Sequence, residues 1–106
     1  MKALVKLLVF TFLPGSFGFA YADADYDLLV KKNCLACHSI DKRKYGPKLN
    51  EVASKYVGDK DAVKKLAKKI KGGGKGVWGE DVMPPQPQVT KAEAQVLAKY
   101  VLSLKQ

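Results

Sequence analysis

Cys34-Leu35-Ala36-Cys37-His38 contains both cysteines of the chain and its only histidine. Two thiols separated by two residues and followed at once by an imidazole form the attachment pattern for a c-type haem. The chemistry needs that spacing: the two sulfurs add to the vinyl groups on one edge of a porphyrin, and the next residue can turn its imidazole onto the iron. The rival uses of these residues fit less well. A structural disulfide would close a very small ring and leave His38 without a role. A thioredoxin-like redox pair wants a βαβ setting, and tetrahedral zinc would have only a carboxylate to draw on as its fourth ligand.

Working outward, the neighbouring chain reads as helices. Residues 24–33 place Tyr26, Leu29 and Val30 at helical offsets, running into the cysteine pair. Residues 38–49 contain Gly46-Pro47 and read as irregular. Val52, Ala53, Tyr56 and Val57 repeat the helical spacing, as do Val63, Leu66, Ala67 and Ile70 beyond a boundary at Asp59 to Asp61. Gly72, Gly73, Gly74 and Gly76 stop that helix. Thr90 with Glu93 forms a capping box, and Val96, Leu97, Tyr100, Val101 and Leu104 make the stripe of a last helix. With no alternating run left to form a strand, the expected fold is all-α, four to five short helices wrapped around one covalent haem.

The first residues read differently. Lys2 and Lys6 precede an apolar run from Leu7 to Leu13, which Pro14 and Gly15 break, and Ala20-Tyr21-Ala22 offers small residues where a signal peptidase reads. Cleavage is expected after Ala22, leaving residues 23–106 as one domain. The 16 residues between Lys6 and Asp23 fall short of the roughly 20 that span a bilayer as a helix. The expectation is an exported, periplasmic, monomeric protein with no stable membrane anchor.

The chain of 106 residues has 19 Lys plus Arg against 10 Asp plus Glu, a formal charge of +9, which becomes +7 without Lys2 and Lys6. Such a balance favours the acidic surfaces of partner proteins. One lysine group runs from Lys60 through Lys64, Lys65, Lys68, Lys69 and Lys71 to Lys75, and another comprises Lys42, Arg43, Lys44 and Lys48. The first has no interleaved aromatic on which bases would stack, so nucleic acid is not an expected partner. A chain this short also needs help in holding a core. A covalent porphyrin would supply it, with Leu49, Leu66, Ile70 and Val77 as its expected wall.

With His38 on one side of the iron, the second ligand follows by elimination. Met83 is the one methionine after the leader, and Pro84-Pro85 stiffen the chain directly behind it. A lysine or water is the alternative.

Together these motifs, with Lys69-Ile70-Lys71-Gly72-Gly73-Gly74-Lys75-Gly76-Val77-Trp78-Gly79 and Met83-Pro84-Pro85-Gln86, resemble the small bacterial class I cytochromes c of the c-551/c-552 type. The resemblance spans essentially all of residues 23–106. It implies one low-spin haem c held through Cys34 and Cys37, with His38 and Met83 as iron ligands. It also implies that Pro47 lends its carbonyl to His38 Nδ1 and that Trp78 with Lys69 reaches a buried haem propionate. Lys69 stands where some relatives have arginine, keeping the charge without the bidentate fork. Gln86 stands where relatives often have asparagine, in position to donate its amide to the Met83 sulfur. The implied role is a soluble single-electron shuttle between respiratory complexes or reductases. A fixed haem subunit of a respiratory complex is the alternative. A haem enzyme or sensor would need an open iron site and distal acid and base groups, for which no second histidine exists.

Overall fold

The computed structural model describes residues 8–15 and 20–104. The expected positive region at Lys2 and Lys6 lies outside those residues. Residues 8–15 form no helix or strand, and Leu8, Phe10 and Phe12 are exposed to solvent. No helix among the described residues is long and apolar enough to cross a membrane.

Four α-helices follow in order: α1 (Ala20–Lys31), α2 (Leu49–Lys55), α3 (Ala62–Gly72) and α4 (Lys91–Leu102), with a single 3-10 turn at Cys34–Ala36. No strand occurs among the described residues; Gly74 and Met83 form one isolated antiparallel bridge. The all-α expectation holds, with details that depend on tertiary packing.

Helix α4 is the hub, packing against α1, α2 and α3. Its start is defined by the capping box: the Glu93 amide donates to Thr90 Oγ1 at 3.1 Å, and the Thr90 amide donates to Glu93 Oε1 at 3.0 Å. Val89 just before the cap and Ala94 one turn inside are both buried in the same core, fixing the angle at which the chain enters. The buried stripe is Ala94, Leu97, Ala98 and Val101. Val96, expected in that stripe, lies 37% exposed. The two alanines bring the neighbouring helices close, and that rotates Val96 outward.

Two other boundaries move. Helix α1 begins at Ala20 rather than 24 and stops at Lys31, because Asn33 takes a left-handed conformation with φ 65° that ends helical propagation. Within it Leu29 is buried, whereas Val30 is 49% exposed. Tyr26 lies at the surface edge, its ring meeting Tyr100 of α4 edge-on at 6.5 Å between centroids. Helix α2 ends before Tyr56, leaving Val57 in an exposed turn rather than on a helical face. There Asp59 accepts from the Lys65 ammonium and from the Asp61 amide, each at 2.8 Å.

The helices do not close on one another completely. Leu29, Leu49, Val52, Leu66, Leu97 and Val101 belong to the core and also line a cavity of about 700 Å³. Protein interiors pack to the density of organic crystals, so a space of this size inside so short a chain is shaped for a group that completes the core.

Candidate functional site

All eight residues expected to hold the cofactor line that one cavity: Cys34, Cys37, His38, Pro47, Lys69, Trp78, Met83 and Gln86. The expected wall residues Leu49, Leu66, Ile70 and Val77 line it too. They come from two segments, one between α1 and α2 and the other between α3 and α4, together with the inner faces of the helices.

The first segment is tightly framed. The left-handed Asn33 turns the chain out of α1 into the 3-10 turn, where the Cys37 and His38 amides donate back to the Cys34 carbonyl at 3.3 and 3.0 Å. Cys34 is half-buried and Cys37 exposed, and the two are not joined to each other. Burial pushes the Cys34 thiol up from its ordinary value. The Gly46 amide donates to the Cys37 carbonyl at 2.8 Å, and the Leu49 amide donates to the Ser39 carbonyl at 2.9 Å, folding the irregular loop back over the motif. That places the Pro47 carbonyl 2.8 Å from His38 Nδ1. A carbonyl only accepts, so Nδ1 carries the proton and Nε2 keeps its lone pair available for a metal. Gly46 lies against the ring: a Cβ there would fall 2.4 Å from His38 Cε1.

Met83 is held by other means. Its amide donates to the Gly74 carbonyl at 2.9 Å, and its carbonyl accepts from the Gly74 amide at 3.0 Å. The Gln86 amide donates to the Lys71 carbonyl at 2.9 Å, so the Met83 loop is tied at both ends to the C-terminus of α3. Sequence reasoning credited the prolines alone with this stiffness. The paired bonds to Gly74 were missed because they join residues on a loop whose path no local pattern reveals. Gly73 makes the approach possible, since a Cβ there would lie 2.3 Å from the Met83 carbonyl oxygen. The Gln86 side chain has backbone and side-chain partners of its own. Its amide donates to the Pro84 carbonyl at 2.9 Å, and its oxygen accepts from Gln88 Nε2 at 2.7 Å.

Trp78 and Lys69 both face the cavity, with the Lys69 side chain lying against Gly74. Two neighbours were not foreseen. The Lys55 ammonium sits 5.0 Å from the centre of the Trp78 ring, in cation–π range. Arg43 and Asp81 form an ion pair linking the His38 segment to the Met83 segment, with Asp81 lining the cavity. Both contacts join residues far apart in sequence, and nothing in the spacing of either residue announces its partner.

The cavity therefore suits a flat apolar group bearing a metal. Apolar core residues surround it, two thiols and a correctly tautomeric imidazole line it, and a thioether lines it from the other segment. Comparison with known proteins agrees. The Cytochrome c family profile matches residues 26–105. The chain is 53% identical over 106 residues to cytochrome c-551 of Stutzerimonas stutzeri, covering 98% of each protein. It is 49% identical over 85 residues to cytochrome c-552 of Nitrosomonas europaea, covering 80% of this chain and 82% of that one. The crystal structure of wild-type Nitrosomonas europaea cytochrome c552 superposes with a TM-score of 0.74 at 48% identity, covering 76% of this chain and 99% of that chain. The chain thus belongs to the cytochrome c family, as a small member of the c-551/c-552 kind that carries covalently attached haem c.

Proposed function

We propose that this small haem c electron carrier binds haem through Cys34 and Cys37, ligates its iron with His38 Nε2 and Met83 sulfur, and shuttles single electrons between redox proteins in the periplasm. When bound, the haem supplies a one-electron ferric/ferrous couple. The observation that carries the reading is the convergence of both ligand side chains on one cavity, each with its own rigid support.

The residues divide the work. Pro47 holds the His38 ring in one tautomer and raises its basicity by accepting the Nδ1 proton. Met83 offers a weak neutral ligand, which favours the reduced state and a high potential. Trp78 and Lys69, which line the cavity, would donate to a haem carboxylate, whose buried charge needs such donors. The aliphatic wall keeps water from the iron. With His38 engaged, no second histidine can act as a distal acid or base, which argues for transfer rather than catalysis.

Export is supported by the leader pattern of residues 1–22 and by the family match beginning at residue 26. The excess of lysine supports redox partners with acidic surfaces.

Replacing Met83 by alanine tests the ligand set. The oxidised variant is expected to lose the long-wavelength sulfur-to-iron band, to show a substantially lower potential and to bind carbon monoxide rapidly when reduced. Retention of the band and of the parental potential would assign the sixth position to another residue.

A further inference from the structure

A second concavity lies between α3 and α4, with a volume of about 420 Å³. Its floor is the buried Ala67 and Ala94, and its rim carries Gly72, Gln95 and the lysines Lys64, Lys68, Lys71 and Lys91. Helix geometry separates it from the cavity. Leu66, Lys69 and Ile70 share the face of α3 that lines the cavity, whereas Lys64, Ala67, Lys68 and Lys71, at offsets of zero, three, four and seven, share the opposite face.

The rim is uncompensated. The ion pairs among the described residues are Lys32–Glu93, Arg43–Asp81 and Lys65–Asp59, so none of the four rim lysines meets a carboxylate. Glu93, two residues along α4 from Lys91, is already committed to Lys32 and to the Thr90 cap. Lys71 is also fixed in place, its ammonium donating to the Val89 carbonyl at 2.7 Å, so one rim charge is preorganised. The floor offers only small side chains, which let another backbone approach closely.

We propose that this groove docks an acidic amphipathic segment of a redox partner protein, its carboxylates meeting the four lysines and its small apolar side chains resting on Ala67 and Ala94. The inference rests on the electron-carrier reading only for the class of partner. A concave groove with an apolar floor fits an inserted polypeptide segment better than a bilayer, whose surface is flat and reads charge over a plane. Because α3 stands between groove and cavity, a segment held here leaves the cavity mouth free. The groove then acts as a tether: it raises the effective concentration of the partner at the mouth without occupying it.

The test uses the mature haem-loaded protein and a synthetic amphipathic peptide with glutamates flanking an alanine and leucine stripe. Titration followed by amide chemical shifts is expected to perturb Ala67, Lys68, Ala94 and Gln95, with Val77 and Val82 unmoved. Affinity should fall about tenfold as salt rises from about 0.01 M to about 0.15 M. The triple variant K64Q/K68Q/K91Q, which keeps the Lys71 contact and alters only exposed side chains, should weaken binding by about tenfold or more, while a lysine-for-glutamate peptide should not bind. Reduction of the haem by a small uncharged hydroquinone should proceed at the same rate with and without the peptide. Shifts that map to the cavity mouth, an unchanged affinity in the triple variant, or binding of anionic phosphatidylglycerol vesicles without binding of the peptide would each overturn the proposal. Failure of the hydroquinone to reduce the peptide-free protein would instead overturn the electron-carrier reading, whatever the groove does.

Discussion

The His38 and Met83 segments bring their side chains to the same cavity by opposite strategies. His38 is oriented through its own ring, by the Pro47 carbonyl on Nδ1 and by Gly46 against the ring. Met83 is oriented through its backbone, by the paired bonds to Gly74, and the Gln86 side-chain amide close behind it in the chain donates to the Pro84 carbonyl. An imidazole has a second polar atom by which it can be held, and a thioether has none. The position of Met83 therefore depends on the loop, whereas that of His38 depends on one hydrogen bond and one packing contact.

The sharpest way to break this contrast is Gly73→Ala. Gly73 has φ 71° and ψ −171°, a region open essentially to glycine alone, and a Cβ there meets backbone atoms of Met83, Pro84 and Pro85 within 2.9 Å. Backbone cannot swing away as a side chain can. The substitution should cost at least about 2 kcal/mol and release the Met83 loop, read as a lower denaturation midpoint with faster cyanide binding to the ferric protein.

Gly46→Ala strikes the other segment and should cost less, about 1 to 2 kcal/mol, because the obstructing group is a side chain that can tilt at the expense of its hydrogen bond to Pro47. The expected signature is faster exchange of the His38 Nδ1 proton, with cyanide binding little changed. If both variants raised cyanide binding equally, the two segments would be one mechanical unit.

Asp81→Asn removes the ion pair between the segments. At such a solvent-accessible pair the expected loss is under about 1 kcal/mol, and it should shrink further with added salt. A loss that persists in high salt would mean that the contact acts through packing.

The smallest effect concerns acid. The Thr90 amide, and after it the Lys32 ammonium, hold the Glu93 carboxyl below its ordinary value. A depressed pKa contributes stability above the unfolded value, and that contribution is lost as pH falls through the folded one. Acid titration should therefore show a slight loss beginning below about pH 4.5, which Glu93→Gln abolishes.

Legibility in the sequence followed the range of each interaction. The thiol and imidazole spacing, the capping box and the glycine stop after α3 are local, and each could be read from neighbouring residues. Cys34, Cys37, His38 and Met83 are legible in this way, whereas Pro47, Lys69, Trp78 and Gln86 are legible only through the family resemblance. The Gly74–Met83 bridge, the Lys55–Trp78 stack and the Arg43–Asp81 pair depend on the route of two loops, and no periodicity encodes that route. Val96 was misassigned for a related reason. A helix with apolar residues on more than one side buries the face its neighbours reach, and here Ala94 and Ala98 determined that face.

The clasp between the end of α1 and the far end of the Met83 loop has a topological consequence. Lys32 donates to the Gln88 carbonyl at 2.9 Å across 56 residues, Gln88 donates back to the Lys32 carbonyl at 3.3 Å, and Lys32 also pairs with Glu93 at 3.0 Å. The chain between these residues is thus a closed ring, and both cavity-lining loops lie on its circumference. Closure entropy grows only logarithmically, by about 0.6 kcal/mol for each doubling of loop length, so a ring this large is little harder to close than one half its size. Cleaving the peptide at the exposed Val57–Gly58 turn would convert the ring into two strands still buckled together at Lys32. Undoing the buckle would free the chain at Gln88, while Gly74 and Lys71 still hold the Met83 loop and Cys37 and Ser39 still hold the His38 loop.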